Sequence, residues 1–84
     1  MSRHFAPRKN GTWVFGWDQM LQSFFLHFHD KNVSEDDNPV IWLGADPKTS
    51  MYEVEQLVQT AGKHGLIIDH IMQDVLYTDK DEGR

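Results

Sequence analysis

The sequence predicts an α+β domain in which three strands pair into an antiparallel sheet and two helices pack on one face of it, in the order β-β-β-α-α. Three observations carry that expectation. Trp13, Phe15, Trp17, Phe24, Phe25 and Phe28 supply six of the ten aromatic rings in an 84-residue chain, and rings of this kind suit a pleated surface. Turn-forming residues punctuate the same half at Asn10-Gly11, at Asp37-Asn38-Pro39 and at Gly44-Ala45-Asp46-Pro47. The second half instead spaces its apolar residues at helical intervals.

The elements follow in order. Residues 1–10 read as a flexible basic tail, with Arg3, Arg8 and Lys9 and no acid, closed by the turn dipeptide Asn10-Gly11. Residues 12–17 form the first strand, with Gly16 marking a bulge or a close backbone approach. Asp18 opens a short irregular segment to Gln22. Residues 23–30 fit two periods. Phe24, Leu26 and Phe28 alternate with Phe25, His27 and His29, while Trp17, Met20, Leu21, Phe24, Phe25 and Phe28 also make a helical stripe with Asp18 as N-cap. Aromatic density, the place of Leu26 off that stripe and the nearby strand-like run Val40-Ile41-Trp42-Leu43 favour a strand.

Ser50-x-x-Glu53 has the form of a capping box. Val54, Leu57, Val58 and Ala61 then recur on one helical face, and Gly65 suits the left-handed position after the helix end. A second helix is expected from Asp69 to about Thr78, burying Ile71, Met72, Val75 and Leu76. The domain spans residues 11–79, and 80–84 form a charged tail.

The bulk composition excludes several classes. The chain has no cysteine, so neither a disulfide framework nor a thiolate zinc site is available. No apolar run approaches the ~20 residues of a membrane span, and the basic N-terminus lacks the apolar stretch of a signal peptide. The chain therefore reads as cytoplasmic, with no membrane partner. After residue 10 the chain carries thirteen acids against five bases. Such a body repels a phosphate backbone, so nucleic acid is not an expected partner.

Phe15-Gly16-Trp17-Asp18, then Leu21, Phe24-Phe25 and later Trp42-x-Gly44, resembles a pattern in small uncharacterised bacterial proteins. The resemblance runs from about residue 12 to residue 44. It implies a compact bacterial α+β protein and no particular activity.

Several residues carry possible chemistry. His27-x-His29 on a strand would place two imidazoles on one face, as a metal or a pH response requires. His64 and His70 belong to the helical half, on the other side of the sheet, and two ligands without a third make a weak site. Glu35-Asp36-Asp37 lacks the spacing of a calcium loop and reads as a solubilising tip. Asp18 beside Trp17 is a catalytic acid only if buried, and otherwise a turn or cap residue. No nucleophile elbow, P-loop, dinucleotide fingerprint or zinc-protease motif occurs. No catalytic residue and no cofactor is assigned.

Two short helices cover one sheet face, which leaves large rings for a partner on the other. The expected binding set is Trp13, Trp17, Phe25, His27, His29 and Trp42. The leading expectation is a non-enzymatic interaction or regulatory domain that binds a protein or a second copy of itself. Two alternatives are an acidic mimic that blocks a nucleic-acid-binding protein, and a small metal-dependent or acid–base enzyme built on His27 and His29. The competing possibility for the surplus rings is an N-terminal arm that folds over with Phe5 and closes the core.

Overall fold

The computed structural model describes residues 2–31, 41–44 and 48–83. Strands β1 (His4–Arg8), β2 (Gly11–Asp18), β3 (Ser23–Asp30) and β4 (Ile41–Leu43) are followed by helices α1 (Val54–Lys63) and α2 (His70–Glu82). The α+β class, the antiparallel sheet and the two helices agree with the sequence. The strand count is corrected: among the described residues the sheet has four strands, in the order β1-β2-β3-β4, each antiparallel to the next.

The additional strand comes from the segment expected to be a flexible tail. Arg8 pairs with Gly11, so Asn10-Gly11 reverses the chain instead of ending a disordered arm. Gly11 is required there, because a Cβ would lie 2.3 Å from the His29 carbonyl oxygen. Arg3, Arg8 and Lys9 gave the segment the composition of a solvated tail. Within β1, Pro7 and Arg8 suit an edge strand, where a missing donor and exposed charge discourage pairing with another sheet.

β3 takes the strand conformation over all of Ser23–Asp30. Full pairing with β2, from Gly11↔Asp30 to Asp18↔Ser23, decides against the helical stripe. The four-residue turn between them is held by Asp18, whose Oδ1 accepts the N–H groups of Met20 (3.0 Å) and Leu21 (3.3 Å).

Alternation sorts the sheet into two faces. Trp13, Phe15 and Trp17 from β2 and Phe24 and Leu26 from β3 face the helices. There they meet Val54, Leu57 and Ala61 of α1, Leu66 and Ile68 of the connection, and Leu76 of α2. α1 lies over β3 and α2 over β2.

The helix boundaries refine the expectations. The cap of α1 is Glu53, not Ser50, and Gln56 Oε1 accepts the backbone N–H of Glu53 (2.9 Å). The helix starts late because residue 51 is still extended. Met51 bridges Phe24, and its N–H donates to the buried Ser23 hydroxyl (2.9 Å). α1 ends as expected with Gly65 left-handed (φ 82°), and Leu66 N–H returns to the Ala61 carbonyl (2.9 Å), a Schellman closure.

α2 is capped by Asp69, whose Oδ1 accepts the Met72 N–H (2.9 Å). It continues to Glu82, which corrects the charged tail expected at 80–84. Its buried face is also corrected. Leu76 and Asp79 point inward and Met72 packs partly against the core, whereas Ile71 and Val75 face outward. Met72 and Leu76 of the expected stripe are kept and Ile71 and Val75 are replaced by Asp79, a rotation of the buried face by about a third of the ~100° that separates neighbouring residues. Asp79 settles it, because its Oδ2 lies 2.7 Å from His4 Nε2 and ties α2 to β1.

Candidate functional site

The face turned away from the helices is organised in cross-strand rows. Phe5 pairs with Val14, Val14 with His27, and His27 with Trp42, so one row crosses all four strands. Beside it Thr12 pairs with His29 on one flank and Gly16 with Phe25 on the other. Directly opposed residues on one face touch, and their side chains form the surface a partner meets.

The rows enclose a concavity of about 450 Å³ lined by Arg3, Phe5, Thr12, Val14, Phe25, His27 and His29. Phe25, His27 and Trp42 form a run of rings, with His27 4.9 Å from Phe25 and 5.2 Å from Trp42 between centroids. His29 stands 6.3 Å further along β3. Within this face Val14 and Phe25 are buried. Phe5 remains 63% exposed and Trp42 51%. Gly16 makes room for the chain start. A Cβ there would sit 2.3 Å from the Ser2 carbonyl oxygen. Ser2 instead extends the ladder by donating its N–H to the Trp17 carbonyl (2.9 Å) and accepting the Trp17 N–H on Oγ (2.8 Å). That anchor holds Arg3 at the rim.

His27 is the most perturbed group of the face. Its Nε2 is buried without a hydrogen-bond partner among the described residues. Its pKa is held below 6.5, first by burial and then by electrostatic repulsion from His29 and Arg3. Desolvation disfavours the imidazolium, so the ring is neutral at neutral pH.

The expected binding residues divide between the two faces. Phe25, His27, His29 and Trp42 share the open one. Trp13 and Trp17 are corrected: both are buried on the helix-covered face, because odd positions of β2 point inward together with Phe15. Trp13 packs on Phe28 and His64, and Trp17 on Phe24, with its Nε1 donating to Gln19 Oε1 (2.8 Å). The premise of many bare rings is corrected with them. Of the six aromatics between residues 13 and 28, Trp13, Phe15, Trp17, Phe24 and Phe25 are buried and Phe28 is partly so. The alternative of an arm folding over the core also fails, since β1 adds an edge strand and leaves Phe5 exposed.

The metal candidates do not converge. His64 lies against Trp13 on the far face from His27, and among the described residues no three His, Cys, Asp or Glu side chains cluster as ligands. Asp18 acts as the turn residue described above. Glu35-Asp36-Asp37 lies outside the described residues. No helix among the described residues is long and apolar enough to cross a membrane.

Arg3, Phe5, Thr12 and Val14 line the site without having been singled out in the sequence. The alternation of His4 and Ala6 with Phe5 was the available signal, and Pro7 with the basic residues masked it. Compared with family models, curated proteins and solved structures, the chain matches none.

Proposed function

We propose that this protein is a non-enzymatic interaction domain that binds a protein partner through the open sheet face. The observation that carries the reading is the row Phe5–Val14–His27–Trp42. Its two ends expose large rings, Val14 between them is buried and His27 half-buried, and the concavity lies alongside it. Exposed aromatic side chains beside a concave apolar site are the residue type that protein interfaces enrich and draw much of their binding energy from. The preformed ladder holds these side chains in place, so little ordering entropy is lost on binding.

The test is affinity capture from cell extract with the wild type and with the Phe5→Ala/Trp42→Ala variant, alongside light scattering of each protein. A partner, or a self-associated species, retained by the wild type and lost by the folded variant is the expected result. The α2 surface exposes Ile71 and Val75, with Ile67 of the preceding connection, and provides the control. Capture that survives the sheet-face substitutions and disappears with Ile71→Ala would overturn the proposal, as would a monomer that captures nothing.

A further inference from the structure

Resting on that reading of the open face, we infer that the partner presents a carboxylate next to an aromatic side chain, as a chain ending in phenylalanine does. The ring occupies the concavity between Phe5, Val14 and Phe25, and the carboxylate meets Arg3 and His29 at the rim.

Three observations lead to this chemistry. The first is size. About 450 Å³ falls within the range of roughly 300–1,000 Å³ typical of pockets that enclose a compact organic group. The second is the wall, where Phe5, Val14 and Phe25 supply apolar surface and Thr12 and the two histidines supply a few polar atoms. The third is charge. The chain carries a net charge of −5, yet the described lining contains Arg3, His27 and His29 and no acid. The Arg3 guanidinium gives the rim a positive charge with no acid beside it in the described lining, which selects an anion, and guanidinium pairs with carboxylate through two parallel N–H donors.

The same charge set disfavours a second copy as the occupant. A two-fold contact between two such faces would bring like charges together around a shared apolar centre. His27 fits the assignment as well. Arg3 and His29 are the charged or titratable groups that depress its pKa, and a carboxylate between them offsets both.

The probe is N-acetylphenylalanine with its free carboxylate, titrated into isotopically labelled protein at millimolar concentration and followed by NMR. N-acetylphenylalanine amide and N-acetylglycine serve as the uncharged and ringless controls. Shifts confined to Arg3, Phe5, Thr12, Val14, Phe25, His27 and His29 are expected, with both controls weaker. The exposed substitution Arg3→Gln should weaken the acid about fivefold, the scale of one charge-assisted contact at a wet rim, and leave the amide unchanged. The His27 ring pKa should rise on binding the acid. Equal binding of acid and amide at these residues would overturn the carboxylate assignment while leaving the binding face intact. No shift at this face with any probe would overturn the occupant altogether, and the capture experiment then judges the face by itself. Concentration-dependent shifts at the same residues without any probe would assign the face to a second copy, and would equally overturn the inference.

Discussion

At the scale of single residues, the informative side chains are those whose polar atoms are enclosed. His27 keeps Nε2 buried without a partner among the described residues, and its pKa lies below 6.5 through burial, His29 and Arg3. The unfolded chain, with an ordinary histidine, therefore binds more protons than the native protein just below pH 6.5. The contribution of His27 to stability is fully present above that pH and is lost as pH falls through the window between the unfolded and the depressed folded pKa. Urea denaturation at about pH 7.5 and about pH 5.5 should show a larger drop for the wild type than for His27→Phe, which keeps a ring on Phe25 and Trp42. Equal drops would remove the linkage. Ser23 is a second such residue. Its hydroxyl accepts the Met51 N–H and donates to the Phe24 carbonyl (2.8 Å). An isolated serine at the start of an aromatic run gives no warning of that role.

At the scale of elements, β1 is the part that sequence reasoning misplaced, and His4 explains why the strand holds. His4 packs against Phe15 (5.7 Å between centroids) and pairs with the buried Asp79, so the first strand and the last helix support each other. His4→Ala strands a buried carboxylate and should cost about 2–4 kcal/mol in urea melts, less than a deeper pair because His4 keeps some contact with water. A loss within error of zero would show that the pair is ornamental and that β1 is held by its ladder alone. The pairing joins residues 75 positions apart, and no local pattern announces it. The elements that were legible, β2, β3, α1 and the Schellman closure at Gly65, each rest on local signals. These are period-two alternation, period-3.6 spacing and a glycine free to take positive φ.

At the scale of the whole molecule, the sheet has one face for stability and one proposed for recognition. Leu26 is fully buried against the helices, whereas Phe5 is largely exposed on the other side. Leu26→Ala should cost about 2–5 kcal/mol by opening a cavity. Phe5→Ala should stay within about 1 kcal/mol, because it removes a side chain that is mostly in water. Denaturation curves of the two variants check this division, and comparable losses would mean that the open face belongs to the core. The same division explains why part of the candidate site was legible. Phe25, His27, His29 and Trp42 follow from alternation along β3 and β4. Trp13 and Trp17 were misplaced because alternation separates two sets of residues without saying which set the helices cover.

The amino-acid sequence alone determined the class, the antiparallel hairpin of β2 and β3, the two helices and the grouping of side chains into alternating sets. All of these are properties of periods and turns within a short stretch of chain. Tertiary structure alone decided that the first residues join the sheet, that α2 turns Asp79 inward and Ile71 outward, and that the face carrying His27 is the one turned away from the helices. Those outcomes depend on contacts between distant segments, where a buried charge needs its counterpart and each apolar face needs something to lie against.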